Sequence, residues 1–197
     1  WLNELSPVLL SERPELISLK GYNLVLLGKV DAGRRLLDQA CARMAGDPGS
    51  AVEWAQSLVF RSKAHRYMGD YQQAEDDADS VLDLYEQQDT GVEERADLYA
   101  MAQNAKGLAL CMMGNSELGI EWLQQALTSY LLQDDVQSVA TVSMSIAIEY
   151  ANSGQNEEAL QLFEQANEAW HEVHNLAGQA GALNSIGVHH HQLGEYD

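Results

Sequence analysis

A chain of 197 residues with 46% hydrophobic but only 7% aromatic side chains can fill one sizeable core or a short repeat array. Its formal charge of −19 excludes direct nucleic-acid contact, because phosphate backbones are held by Lys and Arg that release counterions, and it disfavours anionic membrane surfaces likewise. Two cysteines, Cys41 and Cys111, are too few for a disulfide framework and fit a reducing cytoplasm, and no apolar run approaches the roughly 20 residues of a membrane span.

In chain order, Trp1 to Leu10 reads as the end of a preceding helix. Pro7, Pro14 and Pro48 are the only prolines, so the remainder is free of the residue that most strongly breaks helices. Helical patterns then alternate with two kinds of connection. Tight turns carry Gly28, Gly69, Gly114, Gly154 and Gly194, at spacings of 41, 45, 40 and 40 residues. Polar loops lie between the units: Gly46 to Ser50, Gln88 to Gly91, Gln133 to Asp135, and His174-Asn175. Asp70 is placed to cap a helix from about Tyr71 to Tyr85. In the fourth unit Ala159, Leu162, Phe163, Ala166, Ala169, Trp170 and Val173 recur at three- and four-residue steps, the pattern of an amphipathic helix. Asp197 falls where a fifth unit's second helix should begin. Four complete helix pairs are expected, with partial repeats at both ends of a fragment of a larger protein.

A second rhythm surrounds the glycines. Seven residues before them stand Gly21, Ser62, Gly107, Ala147 and Gly187, and five after them Gly33, Ala74, Gly119 and Ala159. Small side chains at both positions let two antiparallel helices approach closely, while the glycine closes the turn. Leu37, Leu123 and Phe163, nine after the glycine, fill the space between pairs.

This frame, with Gly69-Asp70-Tyr71-Gln72-Gln73-Ala74 and Gly194-Glu195-Tyr196-Asp197, resembles the tetratricopeptide repeat. The resemblance implies an all-α fold: a single domain over residues 1–197, a right-handed α-solenoid of helix–turn–helix repeats with a period of about 40 residues. The long period and the opening run Trp1-Leu2, Pro7, Glu12-Arg13-Pro14-Glu15-Leu16, Gly21, Gly28, Leu36-Leu37 and Ala40 resemble the repeats of MalT-like, LuxR-type bacterial transcription regulators. That likeness implies a sensor and self-association arm, with an inducer or a protein partner in its groove. Kinesin-light-chain-like and LGN-like scaffolds also use repeats of this length, which keeps open a general scaffold that docks a peptide or helix.

Catalytic and metal chemistry find little footing. His189, His190 and His191 are consecutive, so on a helix they point about 100° apart and cannot converge on one ion. By alignment with Leu24, Leu110 and Tyr150, His190 is the packed inner member. His171 and His174 lack the i, i+4 spacing of a zinc-protease helix and mark a solvated helix end. There is no nucleophile elbow, phosphate-cradling loop or Cys-x-x-Cys pair. Glu75, Asp76, Asp77, Asp79 and Asp83 read as a solvated outer face, and Met101, Met112, Met113, Met144, Trp54, Trp122 and Trp170 as solenoid core. No enzyme activity, cofactor or metal is expected.

Binding is therefore placed on the inner face of each unit's first helix, which the resemblance turns toward a concave groove. Tyr22, Lys63, Arg66, Asn104, Met144, Asn152 and Asn184 fall there. Lys63 and Arg66 stand out in a chain with only 11 basic residues, since two cations one turn apart can hold a carboxylate or phosphate. The carboxylate-clamp pattern that reads Hsp90 tails is not reproduced.

Overall fold

The computed structural model describes residues 13–87 and 94–193. Proline at its start and the absence of later breakers let the chain run as helix after helix: α1 (Pro14–Leu26), α2 (Val30–Met44), α3 (Ala51–Met68), α4 (Tyr71–Glu86), α5 (Ala96–Met112), α6 (Ser116–Leu132), α7 (Val136–Asn152), α8 (Asn156–Glu172) and α9 (Leu176–Leu193). A 3₁₀ turn, Pro48–Ser50, leads into α3. No strand occurs among the described residues. Helices α1 to α8 form the four expected hairpins, and α9 is the first helix of a fifth unit. The partial repeat expected over Trp1 to Leu10, and the turn at Gly194, lie outside the described residues.

Each hairpin closes in the same way. Gly28, Gly69, Gly114 and Gly154 have φ of 76°, 84°, 88° and 79°, the left-handed region that side chains resist. Reversing the chain there lets the next N–H bond a carbonyl five residues earlier, from Lys29 to Leu24, Asp70 to His65, Asn115 to Leu110 and Gln155 to Tyr150, each at 2.9 Å. Where the helices cross, backbone meets backbone: a Cβ on Gly107 would stand 2.8 Å from the Gly119 carbonyl oxygen. In the second hairpin the equivalent pair is Ser62 and Ala74, and the hydroxyl uses the contact by donating to the Ala74 carbonyl at 2.7 Å.

Hairpins stack so that every helix packs on its chain neighbours, and the first helices of successive units also touch one another, most closely α1 with α3 and α3 with α5. Second helices stand further apart, so the wall of first helices is the concave one. The core is a chain of small clusters rather than one centre. Leu58, Val81 and Leu98 join the second and third units, Leu123, Val142 and Ile146 the third and fourth, and Ala140, Trp170 and Ala182 the fourth and fifth. Fully burying a side chain such as Leu123 contributes about 1.5–3 kcal/mol, so stability is spread over many local interfaces.

Four expectations are corrected. Asp77 is not on a solvated face: it is 5% exposed and grips Arg61 with both carboxylate oxygens, at 2.6 and 2.9 Å. Asp70 holds the N-cap position of α4 without a side-chain cap bond, its carboxylate lying 3.6 Å from His65 Nδ1 instead. Met112 is exposed at the end of α5, because it sits beside the turn rather than on the packed stripe. Among the consecutive histidines the buried one is His189, and His190 is half-buried.

Candidate ligand groove

Helix α3 offers one face at three- and four-residue steps, from Val59 through Ser62, Lys63 and Arg66 to Tyr67. With Tyr22 of α1, Met101, Asn104 and Leu108 of α5, and Thr141 and Ser145 of α7, it lines a cavity of about 350 Å³ on the concave wall. The floor is aromatic, since Tyr22 stacks on Phe60 with ring centroids 3.9 Å apart. Lys63 Nζ lies 5.6 Å from the Tyr22 ring centroid and 5.9 Å from that of Tyr67, and the Arg66 guanidinium carbon lies 5.2 Å from the latter. Burial pulls the Arg66 guanidinium below its ordinary range, with the Tyr67 hydroxyl acting against that shift.

What these two cations lack is a carboxylate. Arg34 pairs with Asp38, Arg61 with Asp77, Arg95 with Asp97 and Lys106 with Asp79, all within 3 Å. Among the described residues no Asp or Glu makes an ion pair with Lys63 or Arg66. Beside them, the Asn104 side-chain oxygen is buried without a hydrogen-bond donor among the described residues. Cations, π faces and a free acceptor together suit a ligand that brings a carboxylate, an apolar body and an N–H.

The seven residues expected in the groove divide three ways. Tyr22, Lys63, Arg66 and Asn104 meet in the first cavity. Asn152 and Asn184 meet in a second one of about 200 Å³, with Ile148, Phe163, Val188 and His189. Met144 lines neither: it is half-buried and packs against the clusters around Trp170 and Phe163. Tyr67, Thr141 and Ser145 were not anticipated. Tyr67 could have been found, because it follows Lys63 by four residues on the same face; Thr141 and Ser145 stand thirteen and nine residues before Gly154, the register that Met101 and Ala105 hold before Gly114 in the same cavity.

No group of three or more His, Cys, Asp or Glu among the described residues is arranged to hold a metal ion. No described helix is long and apolar enough to cross a membrane.

No protein-family model matches the chain, and no curated protein matches it. Solved structures do. Aspartyl phosphate phosphatase F from Bacillus subtilis superposes with a TM-score of 0.72 at 11% identity, over 87% of this chain and 43% of that one. A putative kinesin light chain of Podosopora anserina with nearly identical TPR-like repeats gives 0.67 at 17% identity, over 93% and 89%. BtubC (BKLC) from P. vanneervenii gives 0.60 at 15%, over 98% and 85%. This chain thus spans less than half of the phosphatase. At these identities the likeness establishes the TPR-like α-solenoid and nothing finer.

Proposed function

We propose that this array is a non-enzymatic protein-interaction module that docks a peptide segment of a partner in its concave groove, anchoring an acidic side chain between Lys63 and Arg66. One observation carries the reading: in a molecule of charge −19, two cations one turn apart share an aromatic-walled cavity in which no carboxylate among the described residues pairs with them. Leaving such charges unpaired and partly desolvated costs free energy that an incoming carboxylate offsets. The TPR-like repeat fold, shared with the kinesin light chain neighbour, supports a scaffold role.

The test is fluorescence anisotropy with labelled peptides that carry Asp or Glu beside an aromatic residue, compared with their Asn and Gln counterparts. Acidic peptides should bind at least about tenfold tighter, and Lys63→Glu with Arg66→Glu should abolish the preference. Equal binding of the neutral peptides, or an unchanged preference in the double variant, overturns the reading.

A more specific form makes the array the sensor and oligomerisation arm of a MalT-like transcription regulator, with a small-molecule inducer or a protein as ligand. Its support is the opening run around Pro14, which begins α1, and the period near 40 residues. A phosphate-binding Gly-Lys-Ser/Thr loop and a helix-turn-helix encoded on either side of this segment would establish it. Neighbouring sequence without them would remove it and leave the general scaffold.

A further inference from the structure

We infer that the second cavity is a subsite for a primary ammonium on an aliphatic stem, a lysine side chain of the docked segment. The groove would then read a carboxylate at one end and an amine at the other. This deepens the peptide-docking reading and rests on it.

The buried wall of that cavity is His189, 3% exposed. Its Nε2 lies 3.1 Å from the Asn156 carbonyl oxygen. A carbonyl only accepts, so Nε2 carries the proton, and in the neutral ring Nδ1 is an acceptor. That Nδ1 is buried and has no hydrogen-bond partner among the described residues. Asn152 and Asn184, both exposed, add amide oxygens around the same space. A ligand entering here therefore meets no cation, and groups that can accept from it: the amides of Asn152 and Asn184 and the unpartnered nitrogen of His189.

Charge selects the donor. No Lys or Arg follows Lys106 in the sequence, whereas α7 carries Glu149 and α8 carries Glu157, Glu158, Glu164, Glu168 and Glu172. The helices that frame the second cavity are therefore net acidic, which disfavours a carboxylate and favours a cation over a neutral donor. Shape selects the stem. Ile148 and Val188, 43% and 50% exposed, and the ring of Phe163 give apolar surface to the methylenes while the ammonium reaches the polar wall.

The probe is N-acetyl-lysine methylamide, titrated into the whole protein at mildly alkaline pH, where a free imidazole is neutral and an amine still charged. Imidazole ¹⁵N shifts of His189 and the side-chain amide of Asn184 report binding. Its norleucine and glutamate analogues serve as the uncharged and the anionic comparison. Both signals should move and saturate with the lysine probe at least about tenfold below the concentration either analogue needs. Asn184→Lys, at an exposed position that leaves the fold intact, should abolish the response. Norleucine titrating as well as lysine would reduce the cavity to an apolar recess, and either no response at His189 or undiminished binding by Asn184→Lys would overturn the subsite. Because Lys63→Glu with Arg66→Glu should not weaken the lysine probe's binding, failure of the anionic anchor and failure of this subsite remain distinguishable.

Discussion

Arg61, Lys63 and Arg66 lie within two turns of α3 and have opposite circumstances. Burial pulls the Arg61 guanidinium down, but its bonds to Asp77 and the charges of Asp77 and Asp38 outweigh this and hold it above its ordinary range. It is a structural cation tying α2, α3 and α4 together. The Cys41 thiol sits in the same neighbourhood, and burial pushes it up to about 12, with Arg61 only partly opposing. Cys111 is likewise raised to about 12, by burial first and the Glu149 charge second. A thiol so raised is no nucleophile at neutral pH. It also couples folding to pH with a definite sign: the folded thiol keeps its proton where the unfolded one, near the ordinary value of 9.0, has lost it. Its stabilising contribution is therefore complete below pH 9 and falls as pH rises toward 12, by about 1.4 kcal/mol per pH unit for each thiol. Comparing urea unfolding of wild type and Cys41→Ala at neutral pH and one unit above the ordinary thiol value isolates one of them. The stability gap between the two proteins should shrink by about 1 kcal/mol at the higher pH. A constant gap would mean that Cys41 ionises as freely in the fold as out of it.

At the scale of the helix pair, small residues set the spacing and left-handed residues set the turns. These requirements give two substitutions opposite signs. A Cβ on Gly119 would fall 2.4 Å from Cys111 Sγ and 2.8 Å from the Gly107 carbonyl oxygen, and that backbone cannot move without separating α5 from α6. Gly119→Ala should destabilise by about 1–3 kcal/mol. The loops after α6 and after α8 use the same left-handed turn without glycine: Asp134 and His174 have φ of 54° and 55°, and Asp135 and Asn175 then bond the carbonyls of Tyr130 and Trp170. His174→Gly should relieve that conformation and stabilise by up to about 1 kcal/mol, read as a higher urea midpoint at unchanged slope. A loss of stability there would show that the His174 side chain contributes more than its backbone costs. The turn glycines and small-residue pairs made the fold legible in the sequence, because both are local and recur at one period. Individual orientations were harder to read. His189 and His190 differ by one helical step of about 100°, and alignment on the turn glycine chose the wrong one. Asp77 looked like its solvated neighbours because its partner, Arg61, lies on another helix.

At the scale of the whole molecule the same limit decides how much of the groove could be foreseen. Tyr22, Lys63, Arg66 and Asn104 come together because register within each repeat carries them to the concave wall. Thr141 and Ser145 join them in the register that Met101 and Ala105 hold, thirteen and nine residues before the turn glycine, so which inward positions reach one cavity is decided between units and not within one. Charge behaves in the same non-local way. Every Lys and Arg precedes Gly107, so the glutamates of α6, α7 and α8 have no cation on their own helices, and α8 presents Glu164, Glu168 and Glu172 exposed at four-residue steps. Screening should act on this self-repulsion and on ligand binding with opposite signs. Raising sodium chloride from about 0.01 M to about 1 M shortens the screening length from about 30 Å to about 3 Å. Relief of repulsion should then raise the thermal midpoint, about 2–4 °C for each kcal/mol gained in a chain of this length. Hydrogen exchange should locate the gain in α8, where five glutamates stand with no Lys or Arg on the helix. Over the same range an acidic peptide should lose affinity at Lys63 and Arg66, because its attraction is screened too. A midpoint that fell with salt would mean that the ion pairs of the first half, led by Arg61 with Asp77, govern stability more than the uncompensated acids of the second.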